Sequence, residues 1–467
     1  MPVDSVTVTF LGTAAGRPSA TRNVSSLALK LDSKVWMVDA GEATQHRLMD
    51  ARCSSLQMSK IAKVFITHLH ADHINGLPGL LATISAGDGI PRPSTSNAVE
   101  PEPAPIEIYG PLGLRQFLRV TLSLTQTILS RPYVVHELLF PDEAPSDHAA
   151  RVQLHPSEKE GRDVTPDENG LWRDVVTTEE GGGFSVSAAP ILHTVRCLGY
   201  LFQEAPRPIP IQPQLYLPHL KDPRNTSTLT SQFPGLKNPV SLLSRLQTDR
   251  ISIPLADGTV LEPPPLDRRG GRRLVILGDT YDATGMLPLV RAPLLLPEEQ
   301  DLDPEALDVD LVIHEATNAF LPDLDDSQSP LKVDPLTHAP QHSLESVTAL
   351  ARSHGHSTPQ VAGSFARSVR ARRLVLNHLS VKYPDPDALE ASRDGVSDES
   401  RSKWREMLRE IARQAADEAG LPGPSSDDSA TTEQQQQQQR VWTARDFMQV
   451  EVPRRDKSGK TASGSQG

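Results

Sequence analysis

Four potential metal ligands lie within one short stretch of this 467-residue chain, namely His68, His70, Asp72 and His73. They follow an apolar run, 61–66, whose composition predicts a buried strand. Their spacing differs from a helical pair at i and i+4 and is typical of a loop around metal ions, in which the first histidine pair binds one ion and the Asp-His pair a second. Single histidines are more often solvated or hydrogen-bonded in a core, but three histidines and an aspartate at a strand end favour a metal site.

Later apolar strands also end in polar side chains of the kinds that bind metals. These side chains are His193, Asp279, Glu315 and His378. A carboxylate such as Asp279 can bridge two cations, because each of its oxygens can bind one. His193 by itself is equally compatible with a structural histidine. Asp39 also ends a predicted strand and is either a hydrogen-bond partner of a ligating histidine or a turn or helix-cap residue.

The composition is that of a globular protein with long loops. Hydrophobic residues make up 37% and charged residues 23% of the chain, which also has 41 prolines and 29 glycines. Two cysteines, Cys53 and Cys197, are too few for a disulfide framework and fit a reducing compartment. The sequence lacks a signal-peptide pattern and any apolar segment long enough to cross a bilayer, so we expect a cytoplasmic or nuclear protein with no membrane partner.

The net charge of −12 does not by itself favour a nucleic-acid partner, because nonspecific affinity for nucleic acids comes largely from Lys and Arg. Local basic patches and bound metal ions can override this average. One Pro-rich segment, 205–270, carries basic residues beside Tyr216 and Phe233 that can grip a nucleic acid or merely increase solubility. The basic residues are Lys221, Arg224, Lys237, Arg245 and Arg250.

The alternation of strands and helices predicts an α/β domain with long Pro-rich insertions. In chain order we expect a catalytic domain over 1–420 with insertions at about 87–105, 141–183 and 205–270, a disordered Gln-rich linker at 421–440, a closing strand of the same domain at 441–453, and a free tail at 454–467. The polar insertion 141–183 is expected to be poorly ordered in parts, because it holds many charges and little apolar periodicity.

Taken together, these segments resemble the metallo-β-lactamase superfamily and, within it, the tRNase Z family. The matching segments occur in the family's usual order and are Leu11-Gly12-Thr13 with Pro18, Arg22-Asn23-Val24-Ser25-Ser26, Asp39-Ala40-Gly41-Glu42-Ala43-Thr44-Gln45, Thr67-His68-Leu69-His70-Ala71-Asp72-His73, His193 with Gly199-Tyr200, Gly278-Asp279-Thr280, His314-Glu315-Ala316-Thr317, His356-Ser357-Thr358, Asn377-His378-Leu379-Ser380 with Tyr383, and Ala444-Arg445-Asp446-Phe447-Met448. The chain departs from the family at Ala43, where glycine is usual, and at Asn377, where threonine is usual. The segment after Tyr200 also lacks an obvious Gly-Pro-rich tip.

The resemblance implies a fold, a cofactor and a set of site residues. The fold is an αββα sandwich, two β-sheets packed face to face with helices outside, and the cofactor is a pair of Zn²⁺ ions. One zinc would take His68, His70 and His193, the other would take Asp72, His73 and His378, and Asp279 would bridge them. Asp72, Glu315 and His356 would be catalytic, with His356 as general acid and Glu315 orienting it. The alternatives are a helix-start role for His356 and an exposed strand-end carboxylate for Glu315.

The implied activity is that of a zinc-dependent endoribonuclease that cleaves the 3′ trailer from precursor tRNA and leaves a 3′-hydroxyl on the tRNA. The implied partners are precursor tRNA and a second copy of the chain in a homodimer. Two alternatives stay open. One is another phosphodiesterase or ester hydrolase on the same scaffold, which the acidic charge favours slightly. The other is a non-catalytic metal-binding scaffold, which the complete ligand set disfavours.

Overall fold

The computed structural model describes residues 3–87, 103–144, 153–292, 303–325, 328, 342–388, 396–424 and 438–455. Most of the predicted insertion at 87–105, of the Gln-rich linker at 421–440 and of the tail at 454–467 lies outside these ranges. Residues 145–152 of the second insertion also lie outside them. Short strands occupy part of the described remainder of that insertion, between 158 and 176.

The strands of the described residues form two large sheets and one small hairpin. In chain order they are β1 Val6–Gly12, β2 Ser26–Leu31, β3 Lys34–Ala40, β4 Ile61–Phe65, β5 Ile106–Pro111, β6 Tyr133–Leu138, β7 Glu158–Lys159, β8 Asp163–Val164, β9 Trp172–Val176, β10 Phe184–Ile191, β11 Cys197–Glu204, β12 Ile253–Pro254, β13 Val260–Leu261, β14 Arg273–Leu277, β15 Leu311–Glu315, β16 Leu374–Asn377, β17 Val441–Thr443 and β18 Gln449–Glu451. The first sheet has the order β18-β1-β2-β3-β4-β5-β6-β7, with β8 also paired to β6. The second has the order β17-β16-β15-β14-β11-β10-β9.

The two sheets pack face to face through a core of apolar side chains from both. Phe65 of the first sheet meets Phe202 of the second edge to face, with ring centroids 5.2 Å apart. Trp36 lies 5.8 Å from Phe65 and 6.2 Å from Phe202 by the same measure. Because side chains alternate along a strand, each sheet also has an outer apolar face, which other elements must cover.

Helices cover both outer faces. In chain order the helices are α1 Thr44–Leu48, α2 Ala71–Ile74, α3 Leu77–Gly87, α4 Leu114–Leu124, α5 Pro213–Leu220, α6 Pro223–Gln232, α7 Leu242–Thr248, α8 Leu287–Val290, α9 Leu344–Ser353, α10 Pro359–Ser368 and α11 Asp398–Ala419. Buried residues of α1, α3 and α4 share a core with the first sheet, and those of α8, α10 and α11 share one with the second. On β14, Leu274 and Ile276 enter the core between the sheets, whereas Val275 and Leu277 face the helices. The predicted αββα sandwich is therefore confirmed.

The segment 441–453 differs from the single closing strand that its sequence predicts. It contributes two short strands to different sheets, because β17 pairs with β16 and β18 pairs with β1. Between them, the carboxylate of Asp446 accepts hydrogen bonds from the Thr13 hydroxyl, the Asn23 backbone N–H and the Arg47 guanidinium. These buried contacts hold the polypeptide at the point where it passes from one sheet to the other.

The chain divides into two compact units, and the smaller comprises 204–271 with 294–307. Its described part contains α5, α6, α7 and the hairpin β12–β13, so the predicted Pro-rich insertion at 205–270 has its own helices and apolar core. Two of its basic residues form ion pairs within the unit, Arg224 with Asp222 and Arg245 with Asp249. Among the described residues, no helix is both long and apolar enough to cross a membrane.

Candidate metal centre

Parallel strands bring the predicted site residues to one edge of the sandwich. Strand β3 is parallel to β4 in the first sheet, and β14, β15 and β16 are parallel to one another in the second. The carboxyl ends of parallel neighbours lie at the same edge of a sheet, so the polar residues that end or follow these strands come together. These residues are Asp39, His68, Asp279, Glu315 and His378.

The loop after β4 is pressed closely against the loop after β3. The Gly76 N–H donates to the Ala40 carbonyl oxygen at 2.9 Å. A Cβ atom at Gly76 would lie only 1.9 Å from the Gly41 carbonyl oxygen, so glycine is required at this crossing. This close approach fixes the short helix α2, which carries Asp72 and His73.

His68, His70, His193 and Asp279 form the first group of potential ligands. Nδ1 of His70 lies 3.1 Å from Nε2 of His68 and 3.1 Å from Nε2 of His193. Oδ2 of Asp279 lies 3.7 Å from Nε2 of His68 and 4.0 Å from Nε2 of His193. Zinc–imidazole bonds of about 2.0–2.1 Å in a tetrahedron separate ligand atoms by about 3.3 Å, so this group has the dimensions of a single-ion site.

Asp72, His73, His378 and Asp279 form the second group. Nε2 of His378 lies 3.2 Å from Oδ2 of Asp72, 3.3 Å from Nε2 of His73 and 3.3 Å from Oδ2 of Asp279. Oδ1 of Asp279 lies 3.4 Å from Nε2 of His73. Asp279 belongs to both groups, so its carboxylate stands where it can bridge two ions.

The imidazoles of four of these histidines are oriented by a polar atom at the ring nitrogen that faces away from the group. The pairs are His68 Nδ1 with Thr67 Oγ1 at 3.0 Å, His73 Nδ1 with Asp39 Oδ2 at 2.7 Å, His193 Nδ1 with the Gly355 carbonyl at 2.7 Å, and His378 Nδ1 with Thr317 Oγ1 at 3.0 Å. Such partners fix the tautomer of a ligating histidine and leave Nε2 available for a metal.

Asp39 is a hydrogen-bond partner of His73 and not a helix cap, which decides between the two interpretations left open by the sequence. It lies at the end of β3 with φ 58°, in the left-handed region that aspartate tolerates better than most residues. Its Oδ1 accepts from the Thr67 backbone N–H, and its Oδ2 accepts from the Thr67 hydroxyl, each at 2.8 Å. One buried carboxylate therefore ties the start of the ligand loop to His73.

Burial and charge set the protonation of the two groups. Burial lowers the pKa values of His68, His70 and His193, which favours the neutral imidazoles that bind metal. Burial alone would raise the pKa of Asp279, but the His378 and His73 imidazoles hold it well below its usual value. Burial also lowers the pKa of His73, and the carboxylates of Asp279 and Asp39 more than offset this, so its pKa is raised.

This donor set fits zinc. Imidazole nitrogens and carboxylate oxygens are common ligands of that ion, and each group offers four of them. The pKa shifts favour neutral imidazoles at His68, His70 and His193 and an ionised carboxylate at Asp279, which are the protonation states that a divalent cation needs, and any proton on His73 Nε2 would be released when a cation binds.

A carboxylate–imidazole pair lies beside the two groups. His356 Nδ1 is 3.0 Å from Oε1 of Glu315 and 3.9 Å from Oδ2 of Asp279. Glu315 is almost fully buried and also accepts hydrogen bonds from the Thr280 N–H and the Thr317 hydroxyl. Burial lowers the pKa of His356, but the hydrogen bond and charge of Glu315 outweigh it and raise the pKa to about 9. The pair is therefore oriented, and Glu315 favours the cationic form of the His356 imidazole.

The structure thus brings all the predicted site residues together, and it adds residues that the sequence did not single out. Thr317 contacts both Glu315 and His378 through its hydroxyl. Its position two residues after Glu315 is the sequence feature from which this role could have been predicted. Gly355 has φ 84°, and a Cβ atom there would lie 2.5 Å from His193 Nδ1, so glycine allows its carbonyl to reach that ring. His314 is buried away from the groups with its ring 5.6 Å from that of Phe365.

Comparisons with known proteins show which proteins this chain is similar to. The sequence profile of the family described as "Anti-Pycsar protein Apyc1" matches residues 6–87. Zinc phosphodiesterase ELAC protein 1 of Bos taurus is 35% identical over 402 residues, which cover 84% of this chain and 91% of that protein. Ribonuclease Z of Limosilactobacillus reuteri (strain DSM 20016) is 28% identical over 384 residues, with coverage of 80% and 88%. The crystal structure of human tRNase Z, short form (ELAC1), shares 27% identity, covers 96% of this chain and 99% of that chain, and gives a TM-score of 0.49.

Proposed function

The chain belongs to the tRNase Z family, and from this premise we propose that it is a zinc-dependent endoribonuclease that removes the 3′ trailer from precursor tRNA and leaves a 3′-hydroxyl on the tRNA. One observation carries the proposal. Two four-donor groups share Asp279, and the Glu315–His356 pair lies within 4 Å of that carboxylate. The combination suits hydrolysis of a phosphodiester with a poor leaving group.

We assign two zinc ions to the site. His68, His70 and His193 would hold one, Asp72, His73 and His378 would hold the other, and Asp279 would be shared between them. Such ions lower the pKa of a water molecule toward neutrality and neutralise charge on phosphoryl oxygens. Asp72 is also assigned a catalytic role, because its Oδ2 accepts from the Gly16 N–H at 2.8 Å and lies 3.2 Å from His378 Nε2, which holds the carboxylate in the second group.

His356 is the general acid in this proposal. Its Nδ1 is held by Glu315, so the proton to be transferred is on Nε2. The group that leaves is the 3′-oxygen of a ribose, which departs poorly unless it is protonated. Glu315 stabilises the charged imidazole and orients it, and Thr280 and Thr317 fix Glu315 in turn.

His356→Ala should lower turnover of a precursor tRNA by about 10²-fold or more, because it removes the proton donor. Zinc content should stay at the wild-type value, since His356 is outside the proposed ligand set. His354→Ala is the matched control, because His354 is exposed and lies two residues away on the same segment. Unchanged turnover of His356→Ala, or an equal loss in both variants, would remove His356 from the mechanism.

The activity itself is tested with a 3′-extended precursor tRNA, from which both products are recovered and their ends determined. We expect a 3′-hydroxyl on the tRNA directly after its discriminator base and a 5′-phosphate on the trailer, with loss of cleavage after treatment with a chelator and recovery with zinc. The net charge of −12 favours the second candidate, another phosphodiesterase on this scaffold. An uncut precursor together with hydrolysis of bis(p-nitrophenyl) phosphate would support that candidate instead.

We also propose that the enzyme acts as a homodimer in the cytoplasm or nucleus. The resemblance described above supports the dimer, and the absence of a spanning helix among the described residues is compatible with either compartment. Light scattering of the purified protein measures the first property, and imaging of the tagged chain in cells measures the second. A monomeric mass across the working concentration range would contradict the dimer.

A further inference from the structure

Tyr281 and Arg352 form an aromatic–cation pair that none of the proposed catalytic roles uses. The Cζ atom of Arg352 lies 5.1 Å from the centroid of the Tyr281 ring. Tyr281 is half-buried and Arg352 is exposed. Within the described ranges, no carboxylate forms an ion pair with Arg352, so protein charge does not neutralise its guanidinium.

Backbone contacts place this pair at the rim of the metal centre. The Tyr281 N–H donates to the Leu192 carbonyl at 3.0 Å, immediately before His193 in the chain. Arg352 lies in the last turn of α9, and Gly355, three residues later, accepts from His193 Nδ1. The two side chains therefore come from segments that meet at His193.

The segment that carries His193 also exposes two aliphatic side chains. Leu192 and Val195 are 50% and 41% exposed. An aromatic ring, a planar guanidinium and exposed aliphatic side chains together offer the faces on which an unpaired nucleobase stacks. Guanidinium–aromatic pairs also attract the phosphates next to such a base.

The proposed general acid indicates which base would stack there. His356 protonates the ribose oxygen that leaves, so the nucleoside attached to that oxygen lies on the His356 side of the scissile phosphate. Arg352 is four residues before His356, at the end of the helix that leads to it. We propose that Tyr281 and Arg352 form a stacking platform for the base of the last tRNA nucleotide, whose 3′-oxygen leaves; this rests on the proposed function.

A double-mutant cycle, in which one change is made in the enzyme and the other in the substrate, tests the platform. Tyr281→Ala should lower kcat/KM for a precursor tRNA by about 5- to 150-fold, the range for loss of one base–aromatic stack. Tyr281→Phe should retain the wild-type value, since the ring remains. A precursor with an abasic nucleotide immediately 5′ of the cut should reduce kcat/KM of the wild-type enzyme by a similar factor. For the Tyr281→Ala variant, the abasic nucleotide should cause no further reduction of kcat/KM.

Arg352→Gln should show a smaller loss of kcat/KM than Tyr281→Ala. Arg367→Gln, an exposed arginine near the far end of α10 that pairs with Glu418, is the matched control and should show none. Hydrolysis of bis(p-nitrophenyl) phosphate and zinc content should be unchanged in all these variants, because this small substrate carries no nucleobase.

Independent, additive effects of the abasic nucleotide and of Tyr281→Ala would overturn the platform. So would a coupling that appears only when the abasic nucleotide is the first of the trailer. Equal losses on precursor tRNA and on bis(p-nitrophenyl) phosphate would show that Tyr281 supports the metal centre instead of binding a base. Failure of the wild-type enzyme to cut any precursor refutes the proposed function and is seen before a variant is made.

Discussion

Asp39→Asn exchanges one buried oxygen for an NH₂ group and should weaken the second proposed zinc site while it spares the first. Asp39 accepts three hydrogen bonds, from the Thr67 N–H, the Thr67 hydroxyl and His73 Nδ1. An asparagine side chain has one acceptor oxygen and one donor nitrogen. The oxygen is needed at the Thr67 N–H, because a backbone donor cannot reverse its role.

The NH₂ group then faces His73 Nδ1 at about the present 2.7 Å separation. Nδ1 must accept, so the imidazole proton moves to Nε2. Nε2 is the atom that lies 3.4 Å from Asp279 Oδ1 and 3.3 Å from His378 Nε2, at the centre of the second group. A protonated Nε2 cannot bind a metal. To free His73 Nε2 for a metal, the variant must adopt a disfavoured His73 tautomer or lose the hydrogen bond from the Thr67 N–H.

Removal of such a partner typically weakens metal affinity by about 10- to 100-fold, or about 1.4–2.7 kcal/mol. We expect that loss for one zinc per chain, measured by titrating the zinc-free protein with zinc in a calorimeter and by metal analysis after dialysis against a weak chelator. Asp32→Asn is the matched control, because Asp32 has φ 53° and accepts backbone N–H groups far from the site.

An Asp39→Asn protein that binds both zinc ions with wild-type affinity would refute the assignment of Asp39 as the residue that sets the His73 tautomer. Equal weakening of both zinc ions, or a matching loss in Asp32→Asn, would show a general disturbance of the fold and would refute the site-specific reasoning as well.

Three further outcomes are expected. Gly355→Ala places a Cβ atom 2.5 Å from His193 Nδ1 at φ 84°, so zinc retention and melting temperature should both fall, and wild-type values would contradict the requirement for glycine. Asp446→Ala removes a buried carboxylate that pairs with the half-buried Arg47 and accepts from the Thr13 hydroxyl and the Asn23 N–H, so it should lower the free energy of unfolding by about 1–3 kcal/mol in urea titrations, whereas no change would contradict the role of these contacts. Burial lowers the pKa of His136 to about 4, so the unfolded chain binds a proton that the folded chain does not. Stability should therefore fall as the pH drops from 6.5 toward 4, by about 2 kcal/mol at pH 5, and His136→Gln should remove that part of the pH dependence.

The sequence determined the ligand types and the elements that present them. An apolar run that ends in His, Asp or Glu is a local pattern, because burial of a strand and exposure of its last residue are set by neighbouring positions. The seven proposed ligands and the Glu315–His356 pair all follow from such patterns and from the family resemblance. The αββα layering was predicted through the same resemblance, and the packing of Phe65 against Phe202 confirms it.

Tertiary structure decided what depends on distance in space. Asp39 and His73 are 34 residues apart, and only the parallel pairing of β3 and β4 brings them to 2.7 Å. His314 and Glu315 are adjacent in sequence, yet alternation along β15 buries one ring beside Phe365 and turns the other side chain to His356. The segment 441–453 reads as one strand, but the separate edges of two sheets each take part of it. Periodicity along the chain reports which side of an element is apolar, whereas sheet order and packing fix which residues meet.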